Sequence, residues 1–563
     1  MVYVFGLAAF CIAWLLPGHY FPWYGFQQEV AAAIGALLLA LAAVASPDVR
    51  RLPLPRIALG SLAFALVPLI QWQFGKVAYL ADAVLSSLYL FAFGLTIVAS
   101  AALTLASRER FVGAMFATIL LAAMGSTGIG LAQWLQLGPL PFMESLYPGG
   151  RVYANFTQPN HLASLIGISL AAIAWLFETR RIGPRVALFA LWFLEFGLVM
   201  TQARVGLTIA VVFFLWWALA RNRAFLRSTG LGVGGAALGL VAMVLMWGPL
   251  NALLGSSAAT VLAERVQGVG GRGIHWPAMF DAALRQPLWG WGWMQGGVAQ
   301  QAVALDHPRS YEWITYSHNL LLDLLVWNGM ILGTVAIAAI VWWAANRCAN
   351  CRDSTTWSLL AASGALTAHA LVEFPHAYTY FLLPMAVVVG AIEAKGRPGA
   401  ANGEWALPKW AFGIASLSMA TLLIWICVEY LEIEEASRRA SLKEAGYVAQ
   451  GQEPYVPDVT LLDNQRDFVW FRLTEAREGM SEQDVERMRR INERFMPPAV
   501  MLRYAIAAGL NGRETQARRN LQLICQLWSP RNCEEGRATW SALQANSPRL
   551  DAIDFPEPAA PPR

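Results

Sequence analysis

Long apolar blocks alternate with short polar connections over the first 428 residues, and the chain then turns charged. A helix needs roughly 17–25 mostly apolar residues to cross hydrocarbon. The pattern therefore predicts about thirteen transmembrane helices, near 2–16, 29–45, 57–73, 83–105, 111–136, 161–177, 186–200, 205–220, 228–250, 320–345, 358–374, 378–393 and 410–428. The even-numbered connections are SPDVRRLPLPR, SRER, ETRRIGPR, RNRAFLR, NRCANCRD and AKGRPGAANGEWALPK, and each carries at least two Lys or Arg. The odd-numbered ones carry far fewer. Basic connections stay in the cytoplasm. The alternation thus predicts an inside N-terminus, with the long loop 251–319 and everything after 428 on the outer side. Merging 186–200 and 205–220 into one span would reverse all later sidedness, and the charge alternation argues against it.

The region 429–550 opens with EIEEASRRASLKEAGYVAQGQEP, whose amphipathic period predicts surface helices. Within it, PPAVMLRYAIAAGLNGRETQARRNLQLICQLW reads as helix, Gly-containing turn and helix, like one tetratricopeptide hairpin. The segment 551–563 is rich in proline and alanine and reads as a disordered tail. The expected organisation is a membrane catalytic domain over 1–428, an outer helical domain over 429–550 and that tail.

Composition sharpens the class. The 563 residues are 57% hydrophobic and 14% charged, with a mean hydropathy of +0.45. A soluble domain carries about a quarter charged residues. A membrane β-barrel would need short alternating segments, which the chain lacks. The fold class is all-α, a polytopic helical membrane protein. No nucleic acid partner is expected, and the slight net charge of +4 is better read through where the arginines fall along the chain. The first apolar run has no basic leader or small-residue cleavage site and reads as a retained helix. Six cysteines are too scattered for a disulfide scaffold, and the Cys348/Cys351 pair has no second pair to complete a metal site. Cys525 and Cys533 could bridge in an oxidising compartment.

All seven histidines fall in outer connections or near outer helix ends. The polar residues gather there in five clusters: NFTQPNHLA with Gln158, Asn160 and His161; TQARVGL with Arg204; the loop with Arg265, Arg272, Arg285 and WGWGW; SHN with His318 and Asn319; and HALVEFPHAYTY with Glu373, His376, Tyr378 and Tyr380. Taken singly, each has a plainer reading. Asn160 would cap a helix, Arg204 would snorkel, the tryptophans would form an interfacial belt, and His318 would cap the helix after it. No Walker, dinucleotide, DxD or HExxH motif occurs, nor a Trp-Trp-Asp motif. No metal or cofactor is expected, so arginine forks would have to stabilise any diphosphate.

Five motifs in order, NFTQPNHLA, TQARVGL, RGIHWPAMFDAALRQPLWGWGW, YSHNLLLDLLVWNGMILG and LVEFPHAYTYFLLPM, resemble the O-antigen ligase superfamily over about residues 150–395. With the charged C-terminal region, the chain looks most like the PglL-type O-linked protein oligosaccharyltransferases. The resemblance implies a GT-C-like, metal-independent, inverting glycosyltransferase of the bacterial inner membrane with its site facing the periplasm. Such enzymes pass an oligosaccharide en bloc from undecaprenyl diphosphate to a Ser or Thr hydroxyl of a protein, often a pilin. On that footing Arg204 and Arg272, with Arg265 as a possible third partner, stabilise the leaving diphosphate. His318 is the general base or a diphosphate ligand. Gln158, Asn160, His161, Asn319, Glu373, His376, Tyr378 and Tyr380 shape the substrate pocket.

Within the superfamily the rivals are an O-antigen ligase acting on lipid A core and a Wzy-type polymerase. A transporter of the lipid-linked glycan would show inverted repeats and mid-membrane polar groups. Here the polar groups crowd one side and no repeat is seen.

Overall fold

The computed structural model describes residues 2–556 apart from 50, 108, 139, 157, 257, 259–270, 396–404, 448–449 and 546. It is helical, with one two-stranded ladder among the described residues, Leu52–Pro53 against Ala406–Leu407. An apolar helix lies on each predicted span. Seven are long and apolar enough to cross a membrane: Phe26–Ala45, Leu80–Ser107, Glu109–Trp134, Pro159–Glu178, Gly230–Leu254, Leu320–Ala349 and Lys409–Glu444.

Three spans depart from the uninterrupted form that hydropathy predicts. The expected span 57–73 is two short helices, Arg56–Phe64 and Val67–Gln73. Pro68 sits in the first turn of the second, where its missing N–H is harmless, and disfavours helical backbone just before it. Leu320–Ala349 is kinked at Gly329, whose φ of 75° no helix allows. Lys409–Glu444 runs on through the charged segment as one rod. The region 186–220 is two helices, Pro184–Met200 and Arg204–Ala220, joined by the tight link 201–203.

The chain forms two compact units, one of Met1–Ala65, Leu88–Gly268 and Ala339–Leu423, the other of Leu66–Ser87, Val269–Ala338 and Ile424–Arg563. The first is the membrane bundle. Its centre is the helix Pro159–Glu178, buried on nearly every face, as expected of a helix apolar all round. Thr379–Lys395 is buried likewise, and a Cβ on Gly390 would sit 2.5 Å from the Ile97 carbonyl oxygen. Small residues of this kind let membrane helices approach closely. Gly230–Leu254 instead exposes Leu231, Leu238, Leu245 and Leu253, a surface suited to lipid.

Polar bonds within this unit join connections of like predicted side. Leu52 pairs with Leu407, Lys409 Nζ donates to the Val44 and Ser46 carbonyls, and Glu178 accepts from Ser228 N. At the other ends, Gln28 donates to the Asn155 carbonyl and Asn160 to Glu373. No hydrophobic pattern could supply this check on the helix count.

The second unit departs from the sequence boundary at 428, because residues distant in sequence share its core and its ion pairs. Its C-terminal helices, including Glu482–Arg494, Pro498–Leu510, Glu514–Leu527 and Pro530–Gln544, pack around Met488, Met501, Leu521 and Trp540. Ile553 and Phe555 belong to that core, so the chain stays packed past the expected start of the tail; residues 557–563 lie outside the described residues. Asp463 accepts from Leu80 N and Ala81 N at 3.0 and 2.9 Å, capping the start of Leu80–Ser107 from a different part of the chain. Beside it, Arg494 makes a two-pronged pair with Asp82 at 2.8 and 3.0 Å, and Asn464 adds a third bond. Asp82 is 2% exposed and Arg494 15%. Removing one member of such a buried pair costs about 3–5 kcal/mol, because it strands the other charge. Asp82→Ala is therefore expected to lower the melting temperature of the detergent-purified protein by several degrees. A melting curve matching the parent's would show that the pair contributes nothing net.

Candidate functional site

In the membrane bundle, polar side chains collect around the start of Pro159–Glu178. Gln158 is the residue before that helix, in extended backbone, and its side chain makes no capping bond. Its amide nitrogen donates instead to His161 Nε2 at 2.9 Å, which leaves the ring proton on Nδ1, facing the Tyr380 hydroxyl at 2.9 Å. Asn160 does not cap either: its amide donates to Glu373 Oε1 at 3.3 Å. Tyr378 lies edge-on to His161, with ring centroids 4.6 Å apart. His161 and Tyr380 are wholly buried. They hold the site's floor, while Asn160 and Glu373 are its less buried members. His376 lies in the same connection as Glu373, and burial of its ring pushes its pKa down to about 4, so it is neutral at physiological pH. Arg204 opens Arg204–Ala220, and a Cβ on Gly206, two residues on, would crowd Leu198 and reach Ala163 at 3.6 Å. That packing sets Arg204 beside the start of Pro159–Glu178.

Glu29 escaped the sequence reading. It is 6% exposed, takes bonds from Trp23 Nε1 and the Tyr89 hydroxyl, and its carbonyl accepts from Thr379. A carboxylate at the mouth of an apolar block is itself a signal, because intramembrane acids need a partner or a task. His369, one of the outer histidines, is bonded to Ser164.

The second unit assembles a different group. Arg272 opens the helix Arg272–Arg285, and His275, one turn later, reaches Glu312 with Nε2 to Oε2 at 3.0 Å. The His275 hydrogen bond holds the Glu312 carboxyl below its ordinary pKa, against the opposing effect of partial burial; the His275, His318 and Arg272 charges add to the lowering. Glu312 thus interacts electrostatically with both Arg272 and His318, yet the sequence reading passed over it. Arg285 is spent on Asp281 and Asp306, at 2.7 and 2.8 Å. Arg265 lies outside the described residues.

His318 adopts φ 56°, a left-handed conformation that costs a non-glycine residue energy. Its neighbours impose it. Buried Asp323 accepts from Ser317 N and Ser317 Oγ, both at 2.7 Å, and Trp276 Nε1 donates to the Ser317 carbonyl at 3.0 Å. On the other side, Asn319 Oδ1 accepts from Leu321 N and Leu322 N at 3.0 and 3.2 Å. Asn319 is therefore the cap of Leu320–Ala349, which accounts for its side-chain oxygen without a substrate and leaves His318 free of that duty.

The tryptophan motif has a structural role as well. The kink at Gly329 frees backbone groups of Leu320–Ala349, and the WGWGW segment takes them up: Trp291 N donates to Val326 O at 2.8 Å, Gly292 N to Trp327 O, and Met330 N to Pro287 O at 2.7 Å. Gly290 is essential to this clasp, since a Cβ there would lie 2.5 Å from Gly329 N. Trp293 is buried against Trp327, with centroids 4.7 Å apart, and its indole donates to Asn328. Trp289, two-thirds exposed, is the one that faces solvent.

The helices fit a multi-pass membrane protein, and the comparisons place it among membrane glycosyltransferases of the O-antigen ligase kind. Comparisons agree on all three segments matched: protein glycosylation ligase over residues 152–177, O-antigen ligase over 188–338, and virulence factor membrane-bound polymerase, C-terminal, over 357–529. A general O-oligosaccharyltransferase of Acinetobacter baylyi is 31% identical over 399 residues, spanning 68% of each chain. A ComP-specific O-oligosaccharyltransferase of the same organism is 27% identical over 372 residues, 65% of this chain and 66% of that one. The chain belongs to the O-oligosaccharyltransferase family, and it is a glycosyltransferase.

Proposed function

We propose that the protein moves a preassembled oligosaccharide en bloc from undecaprenyl diphosphate to a Ser or Thr hydroxyl of a periplasmic protein such as a pilin, at the outer face of the bacterial inner membrane. One observation carries the reading: the motif histidine, His318, is held in a left-handed conformation by bonds on both sides, within the electrostatic reach of Glu312, as is Arg272. Strain of this sort clusters at functional sites. In the reaction the acceptor oxygen attacks the anomeric carbon as His318 takes its proton. The bond from that carbon to the diphosphate oxygen breaks, and configuration inverts. Arg272 meets the charge growing on the leaving group. By itself, the polar group of the membrane bundle, with Arg204, Asn160, Glu373 and Tyr378 on supports supplied by Gln158, His161 and Tyr380, is assigned to substrate binding.

The Cys525–Cys533 disulfide supports an oxidising compartment for the C-terminal region. Exposed Glu475 offers a test of sidedness. With the four free cysteines removed, Glu475→Cys is expected to react with a membrane-impermeant maleimide in intact spheroplasts; reaction only after lysis overturns the assignment.

The activity itself is tested with purified protein, a synthetic polyprenyl-diphosphate-linked glycan and a serine-containing peptide. Glycopeptide formed in detergent supports the reading. The match to a polymerase family over 357–529 favours a second reading, in which the acceptor is another lipid-linked glycan. Lengthened glycan with no glycopeptide would decide for it.

A further inference from the structure

The C-terminal helices make two kinds of contact with the segment that carries Glu312 and His318, all within the second unit. Gln526, near the end of Glu514–Leu527, donates its side-chain amide to the carbonyls of Ala304 and His307, at 2.6 and 2.7 Å. Arg519 on the same helix donates to the Gln301 carbonyl at 3.0 Å. These bonds seize the short helix Gly296–Val303 and the turn after it. From that helix, Gln300 reaches the other way: its amide donates to the Glu312 carbonyl at 2.9 Å, and its oxygen accepts from Ile314 N at 3.0 Å. Adjacent residues thus face opposite partners, Gln301 toward the C-terminal helices and Gln300 toward the approach to His318. The helix Gly296–Val303 works as a strap. A Cβ on Gly296 would sit 2.1 Å from the Thr315 carbonyl oxygen, so strap and approach are in backbone contact.

We propose that the C-terminal helical region acts in cis as the template that holds residues 300–318 in register, with Gln526 and Gln300 as positioning residues for the transfer reaction. The proposal rests on the reading of His318 as the reacting histidine, and it gives the charged C-terminal region a task other than docking the acceptor. The four side-chain bonds of Gln526 and Gln300 all end on backbone atoms of residues 304–314, which is what a template requires. Loss of register by about 1 Å at a reacting group can cost on the order of 100-fold in rate.

The test uses the full-length protein in detergent, the synthetic lipid-linked donor, and a serine peptide too short to bridge the C-terminal helices. Gln526→Ala and Gln300→Ala are each expected to lower kcat about tenfold or more while the KM values for donor and peptide stay put. Because both act through one strap, the double variant should fall no further than the worse single one. Melting curves and parental elution in size-exclusion chromatography show that each variant is folded. A parental kcat in Gln526→Ala, or two effects that simply multiply, overturns the template. A loss confined to large protein acceptors, with peptide turnover intact, overturns it in favour of docking. Should Gln526→Ala fail to fold, Gln300→Ala, which leaves the C-terminal helices untouched, decides alone. Failure of the underlying reading shows separately, as full transfer by His318→Ala.

Discussion

His318→Ala is expected to lower the rate of glycopeptide formation by about 10²–10⁴-fold, the range that a positioned general base supplies. The structure fixes the backbone that carries the ring. Holding a β-carbon at φ 56° costs of order 1–3 kcal/mol and persists only where the surroundings over-determine it. Asp323 and Trp276 fix every polar backbone and side-chain group of Ser317, and Asn319 is tied to the next helix turn. His318 has therefore little freedom except in its side-chain torsions. His318→Asn provides the control, because asparagine tolerates left-handed backbone better than most residues. It should fold with a parental melting temperature and still be inactive. Parental turnover in either variant removes His318 from the chemistry.

Arg272→Ala is expected to cost about 10²–10³-fold in kcat, the usual effect of deleting one donor aimed at developing charge. Arg272→Lys should recover little of it. A guanidinium presents two parallel N–H groups to phosphate oxygens, and an ammonium is a single mobile point charge. Arg272 also starts a helix whose next turn carries His275, itself bonded to Glu312. The backbone under Arg272 is thereby steadied from one turn away. Wild-type rates in Arg272→Lys would mean that charge alone matters, and wild-type rates in Arg272→Ala would remove it from the leaving-group site. Donor KM separates the two roles open to it, since simple donor binding raises KM at constant kcat.

The candidate site was partly legible along the chain. Arg272, His318, Asn160 and Glu373 stand in motifs of polar residues beside apolar blocks, where polarity is costly enough to be informative. The same logic did not separate buried residues from those within reach of a substrate. His161 and Tyr380 carry the same chemistry on paper as His318 and Tyr378, yet they are wholly buried and bonded to each other. Asn319 and Asn160 both stand at helix starts, and only Asn319, which precedes its helix, caps one. Glu312 gave no local signal, and Asp323, an acid set in the apolar run LLLDLLVW, was passed over. Their significance comes from His275, 37 residues before the first, and Ser317, six before the second, through bonds that no periodicity encodes.

Hydropathy was enough to predict a polytopic helical membrane protein and the approximate position of its apolar helices, and arginine placement gave the expected alternation of sides. Those properties follow from transferring each segment independently into hydrocarbon, a cost that depends on local composition alone. Tertiary structure alone decided that residues beyond 428 share a core and a buried ion pair with 66–87 and 269–338, that WGWGW closes the kink at Gly329, and that Asp323 pins the residue before His318. Each depends on hydrogen bonds and charges that meet only once the chain has packed, across six residues for Asp323 and Ser317 and across hundreds for Asp82 and Arg494. Such bonds are specified by geometry after packing, and the one-dimensional pattern carries no record of them.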